Sequence, residues 1–258
     1  MSLGTESRLH DLLSSTWLPP ADFDPLDPGD EEAYYKPWGF TIYRTSYQPP
    51  DVTDAQWDTL CAKIIEQMEA EIDVYAKPGD EQLAARLKNA FFLRKQSDPN
   101  LWQGKSIPEL RALHMREARA RGDAPEGPLF PEEEEPFEDV EDDMKQRFSF
   151  KTYPGPELFL LADAEVLEGV TRDAYFWIKC VLAEFDEQME RNPLSDQSPI
   201  PSHLDGWFRM TTHSVVDLCL EMPNYQMAEL PPQRSSEWGV YNGELTGVDP
   251  ASSMCSGK

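Results

Sequence analysis

An apolar stripe that keeps helical spacing for about six turns constrains this chain more than any other feature. Trp57, Leu60, Cys61, Ile64, Met68, Ile72 and Tyr75 recur three and four residues apart, which places them on one face of an amphipathic helix. Thr53 and Gln56 form a T-x-x-Q capping box before the stripe, and "KPGD" at 77–80 closes it. The flanking runs have a different period. "GFTIYRTSY" at 39–47 is aromatic and β-branched, is stopped by "QPPD", and reads as a strand with Phe40 and Ile42 on one face and Tyr43 and Tyr47 on the other. After a short polar stretch, "NAFFLRKQ" at 89–96 reads as a second strand. A strand, helix, strand unit of this kind predicts a right-handed crossover between parallel strands.

The rest of the chain extends the pattern. "SIPELRALHMREARARG" predicts a helix, with Ser106 and Glu109 as its capping box, Pro108 in the first turn and Gly122 at the stop, and with Arg111, Arg116, Arg119 and Arg121 on its exposed side. "RFSFKTY" at 147–153 and "ELFLLAD" at 157–163 read as strands, and "AEVLEGV" as a brief helix. "DAYFWIKCVLAEFD" at 173–186 alternates Phe176, Ile178, Cys180 and Leu182 against Tyr175, Trp177, Val181 and Phe185, so it predicts a central strand covered on both faces. "DGWFRM" is a further short strand, and "THSVVDLCLEM" a helix from about Thr212, closed by Pro223. This order predicts an α+β fold, a ferredoxin-like (βαβ...βαβ) sandwich, as a single domain over 37–222. Residues 1–36, with "LPPADFDPLDPGDEE", read as a disordered Pro/acid-rich arm. Residues 123–146 read as a disordered acidic insertion, and 223–258 as a mostly disordered tail in which Trp238 and Tyr241 are the residues able to pin it to the domain.

Charge narrows the partners. Asp and Glu number 48 against 23 Lys and Arg, a formal charge of -25, so the average surface repels nucleic-acid backbones and anionic membranes. Cys61, Cys180, Cys219 and Cys255 lie far apart with no C-x-x-C, which suits a reducing compartment. "MSLGTESRLHDLLSSTW" lacks a secretory apolar core, and the final "CSGK" does not fit a prenylation box. No apolar run approaches the length of a membrane span. The expected compartment is cytoplasmic or nuclear, not secreted.

"WGFTIYRTSY", "TDAQWDTL", "LLADAEVLEGV" and "GWFRM", in this order, resemble a group of uncharacterised filamentous-fungal proteins. These share a WGFxIYRTxY opening strand, a capped helix with an early tryptophan and a later L-x-D-x-E-x-L strand-to-helix turn. The resemblance spans roughly residues 37–222, leaving out both tails and the acidic insertion. It implies no activity and supplies no catalytic or ligand residue.

The residues themselves offer few chemistries. Arg44 and Lys179 are cations inside strand patterns; with Tyr43 and Tyr47, Arg44 is able to line an anion-recognising surface, and the favoured alternative pairs it with an acid such as Asp163. Asp163 and Glu165 form a carboxylate pair suited to acid–base work, or, by the favoured reading, to capping the next helix. His10, His114, His203 and His213 include no i, i+4 pair, His213 reads as part of a helix's first turn, and "FDPLDPGDEE" is not a calcium loop. No metal or cofactor is expected. G-x-S-x-G, Walker and G-x-G-x-x-G motifs are absent, and Cys61 and Cys219 sit on helix stripes where burial raises a thiol's pKa. The run "PEEEEPFEDVEDD", with Glu132, Glu133, Glu134, Glu135, Asp142 and Asp143, is a solvated loop or a surface for a basic protein partner. The expected function is a non-catalytic binding or protein-interaction module. The alternatives are an enzyme built around Arg44, Tyr47, Asp163 and Lys179, and an acidic-loop binder of basic proteins.

Overall fold

The computed structural model describes residues 8–19, 34–124, 155–172, 176–185, 206–221 and 240–241. Strand β1, Trp38–Arg44, is buried along its whole length. It pairs in parallel with β2, Phe91–Gln96, in a register that runs from Trp38↔Phe91 to Tyr43↔Gln96. Gly39 permits this approach: its φ is +142°, and a Cβ there would stand 2.0 Å from the Phe92 carbonyl oxygen.

The parallel crossover expected from sequence is present, but it carries two helices. Helix α2, Pro50–Tyr75, buries the expected stripe of Trp57, Leu60, Cys61, Ile64, Met68 and Ile72. It starts earlier than expected, with Pro50 supplying a first-turn φ. Thr53 therefore lies inside the first turn, and its hydroxyl donates to the Pro49 carbonyl at 2.9 Å, so the expected T-x-x-Q capping box does not form. The stretch passed over as polar is α3, Glu81–Ala90, which buries only Ala84 and Leu87. After a single turn, α4 (Pro99–Trp102), helix α5 runs Ile107–Arg121. Its Ser106–Glu109 capping box forms as expected, and Gly122 ends it at φ 71°. Arg111 is a correction: it is buried, and its guanidinium donates to the carbonyls of Leu182 at 2.9 Å and Gly206 at 3.0 Å.

The remaining strands are β3 (Leu158–Ala162), β4 (Trp177–Leu182), β5 (Trp207–Thr211) and β6 (Val240–Tyr241). The sheet order is β2-β1-β3-β4-β5-β6. β3 runs parallel to β1, β4 antiparallel to both β3 and β5, and β6 parallel to β5. The result is a mixed α+β sheet in which β4 is internal, as its two-sided apolar pattern requires. A ferredoxin-like sandwich splits its βαβ unit around another strand. Here β2 lies directly against β1, so the expected arrangement does not describe this sheet.

Helix α6, Ala164–Arg172, follows β3; a 3-10 turn, Thr212–Ser214, leads into α7, Val215–Glu221. His213 sits in this 3-10 turn, just ahead of the helix whose first turn was expected to hold it. Alternation along the strands gives an apolar layer on each side of the sheet. Phe40, Ile42, Leu160, Cys180 and Met210 pack with the α2 stripe, while Tyr43, Phe159, Leu161 and Val181 pack with Leu110 and Met115 of α5.

Within the disordered arm expected over residues 1–36, the described part includes a helix, while residues 1–7 and 20–33 lie outside the described residues. Arg8–Thr16 is helix α1, with Leu9 and Leu12 fully buried in the main core. The chain after it is tied back by Leu18 N–H to the Tyr34 carbonyl at 3.0 Å and Lys36 N–H to the Thr16 carbonyl at 2.9 Å. The tail is strand at Val240–Tyr241, with Tyr241 in register with Met210. The expected strand at 147–153, the acidic residues Glu132–Glu135, Asp142 and Asp143, and Trp238 lie outside the described residues. Among the described residues, no helix is long and apolar enough to cross a membrane.

Candidate functional site

Arg44 ends β1 and turns toward the first turn of α2. Its Nε donates to the Ser46 carbonyl at 2.9 Å, and its Nη2 to Thr53 Oγ1 at 3.0 Å and Asp54 Oδ1 at 2.5 Å. The guanidinium lies 4.4 Å from the centre of the Tyr47 ring, and Tyr47 Oη returns a hydrogen bond to the Arg44 carbonyl at 2.8 Å. Burial pushes the Tyr47 phenol up to about 12. The expected acidic partner was Asp163; the observed one is Asp54. Arg44 is in backbone register with Ala162, so Asp163 is close along the chain, but the α2 acid receives the guanidinium.

Tyr43 points to the other side of the sheet. It is fully buried, with its ring edge-on to Trp102 at 4.9 Å and Phe159 at 5.3 Å. His114 bridges this tyrosine to the segment before β3. Its Nε2 is 3.1 Å from the Pro156 carbonyl, which can only accept, so Nε2 carries the proton and Nδ1 accepts. The Tyr43 hydroxyl lies 3.1 Å from that Nδ1 and 3.4 Å from Glu117 Oε2, so its one proton is shared between two acceptors. Burial raises the Tyr43 pKa and lowers that of His114 to about 4. The imidazole is neutral at physiological pH.

Lys179 and Asp163 do meet. Lys179 Nζ is 2.6 Å from Asp163 Oδ2 and 2.8 Å from Glu165 Oε2, and it sits 4.6 Å from the centre of the Trp207 ring. Glu165 also pairs with Arg209, the β5 residue in register with Lys179. Burial would lift the Glu165 carboxyl, but the Lys179 and Arg209 charges hold it below its ordinary value. Asp163 Oδ1 accepts the Val166 N–H at 3.1 Å, which is the helix cap expected of it. The five expected residues thus divide among three places: Arg44 with Tyr47, Asp163 with Lys179, and Tyr43 apart from both.

Two polar clusters were not read from sequence. Glu71, fully buried on α2, accepts the N–H groups of Val216 and Asp217 at 3.0 Å each and so caps α7. Burial and the neighbouring Asp217 raise its pKa well above the ordinary value. Asp217 in turn receives Arg8 at 3.0 Å and Tyr75 Oη at 2.5 Å, which ties α1 and α2 to α7. The second cluster lines a cleft of about 10 Å³ between β1, β2 and α5, with Thr41, Arg94, His114, Arg121 and Asp123 at its walls. That is room for a single water or one ligand oxygen. Arg121 is engaged by Asp123 at 2.7 Å and Glu117 at 3.9 Å. Arg94, half-buried on β2, has no hydrogen bond or ion pair with a described residue. Burial and the Arg121 charge both lower its pKa. The doublet "RK" at 94–95 is visible in the sequence; that Asp123 and Glu117 act on Arg94 without pairing with it directly is not.

Burial raises the Cys61 thiol to about 12 and raises Cys219, as their helix stripes implied, and it raises Cys180 on β4 as well. Among the described residues, no group of three His, Cys, Asp or Glu side chains is placed to hold a metal ion.

The class these features define is a mixed α+β protein in which buried charged and polar groups brace helices to the sheet. Compared with family models, curated proteins and solved structures, the chain matches none.

Proposed function

We propose that this chain is a non-catalytic, protein-interaction module, cytoplasmic or nuclear, of the filamentous-fungal group that its WGFxIYRTxY opening resembles. One observation carries the reading. The cations of the expected site are consumed within the fold, Arg44 by Ser46, Thr53 and Asp54, and Lys179 by Asp163 and Glu165. Arg94, Lys95 and Arg116 have no ion pair or hydrogen bond with a described residue, in a chain whose acids outnumber its bases 48 to 23. A guanidinium with three fold partners serves a brace; a cation with no direct partner in the described fold is available to an external acid. The buried free thiols Cys61, Cys180 and Cys219 suit a reducing compartment.

The test is a thermal-shift screen of the full chain against acidic peptides, basic peptides, nucleotides and metabolites, since a ligand of the native state raises Tm by mass action. Shifts with acidic peptides alone are expected. A metabolite hit would favour the enzyme alternative, and a salt-sensitive shift with basic peptides, lost on deleting residues 132–143, would favour the acidic segment as the binding element.

A further inference from the structure

Resting on the reading of the chain as an interaction module, we infer that the outer edge of β2 docks an extended acidic peptide segment, which adds to the sheet as a further strand and sets an oxyanion group against Arg94. Among the described strands β2 is the terminal one on its side, and its pairing with β1 occupies one edge only. No described backbone group bonds to the other edge of Phe92–Gln96. Such an edge presents a row of N–H and C=O groups that an extended peptide completes, with affinity from the ladder and specificity from side chains. The strand opens with Phe91, Phe92 and Leu93, whose shape suits a pleated neighbour.

Charge selects the occupant. Arg94 and Lys95 are consecutive, so they project to opposite faces of the sheet, and neither makes an ion pair or hydrogen bond with a described residue, although Asp123 and Glu117 act on Arg94 from a longer distance. A strand laid alongside presents its own consecutive residues to the same two faces, so two adjacent acids match the doublet. Arg94 also borders the cleft that Arg121 lines; Asp123 lies there too, paired with Arg121 at 2.7 Å, which leaves Arg94 as the cation that meets one oxygen of a carboxylate or phosphate.

The experiment uses the full chain and four peptides on one β-branched and aromatic frame: two adjacent glutamates at the centre, two lysines there, phosphoserine with one glutamate, and the glutamate form with a proline beside the pair. Affinity is read by calorimetry and location by amide exchange of Phe91–Gln96. The glutamate peptide is expected to bind and to slow exchange along β2. The lysine peptide is expected to fail, and the proline form, lacking a ladder donor, to bind roughly tenfold more weakly. Arg94→Gln, whose side chain serves no hydrogen bond or ion pair within the described fold, is expected to weaken the glutamate peptide about tenfold with Tm unchanged. The phosphoserine form binding tighter than glutamate identifies phosphate as the preferred group, and equal binding a carboxylate; both sustain the docking site. Undiminished binding to Arg94→Gln, or β2 amides already protected in the free monomer, overturns it. So does a self-associated free protein whose β2 amides lose protection on dilution, because the occupant is then a second copy. If acidic peptides bind and leave β2 exchange unaltered, this surface falls while the module reading stands; silence with every peptide counts against both.

Discussion

Arg44 donates to a carbonyl, a hydroxyl and a carboxylate while stacking on Tyr47, so its charge serves the join between β1 and α2. Arg44→Ala removes all of these and leaves the buried Thr53 side chain short of a donor; the expected loss is about 2–3 kcal/mol, measured by urea unfolding. Arg44→Lys should fall between, since an ammonium cannot reproduce the planar fork. Unchanged stability in the alanine variant would return Arg44 to the list of binding residues. His114 makes a second prediction, with a sign. Burial lowers its folded pKa from 6.5 to about 4, so between those values the unfolded chain takes up a proton that the folded chain refuses. Its contribution is complete above pH 6.5 and is lost as pH falls toward about 4, amounting to about 2 kcal/mol between pH 7 and pH 5. Glu71 acts in the opposite direction: its raised pKa lets the folded state bind a proton first, which favours the fold as pH falls through that value. His114→Gln should lose some stability at pH 7 and show a shallower decline to pH 5 than the parent protein; an unaltered slope would exclude His114 as the source.

At the scale of elements, α1 shows how tertiary burial decides what local sequence leaves open. Its apolar pattern, Leu9, Leu12 and Leu13, spans barely two turns beside a proline- and acid-rich run, and an isolated helix of 9 residues is marginal in water. Burial of Leu9 and Leu12 in the main core, and the Arg8–Asp217 pair at 3.0 Å, supply what propensity does not. Leu12→Ala should therefore cost about 2–5 kcal/mol, as for other fully buried leucines, where an extended arm would lose almost nothing. A urea series on Leu12→Ala and on the exposed Asp11→Ala separates the two readings, because only the buried position should move the midpoint. α3 was missed for the same reason, with two small buried positions too few to form a stripe.

For the whole molecule, what was legible was what repeats. The long α2 stripe, the α5 capping box and glycine stop, and the two-sided apolar run of β4 each restate one local rule several times. Sheet order has no such local trace. Whether β2 lands beside β1 or one strand away depends on how α2 and α3 pack across the crossover, and Gly39 marks the adjacency only once its contact with Phe92 is known. Ion-pair choice is hidden similarly: Asp54 and Asp163 both lie near Arg44 along the chain or the register, and the face to which the side chain turns selects Asp54. Total charge, by contrast, is fully legible, and it makes the last prediction. A net charge of -25 repels itself more in the compact state than in the unfolded one, so screening should stabilise the fold. Salt shortens the Debye length from about 30 Å at about 0.01 M to about 8 Å at about 0.15 M. It also weakens exposed pairs such as Lys63–Glu66 and Arg172–Glu168, but each is worth only about 0–1 kcal/mol, and the pairs that brace the fold through Arg44 and Lys179 are shielded by burial of the cation. Self-repulsion therefore wins, and Tm should rise as sodium chloride is raised over that range. A falling Tm would show that surface ion pairs outweigh the net charge, and that the acids of this chain are distributed to neutralise one another locally.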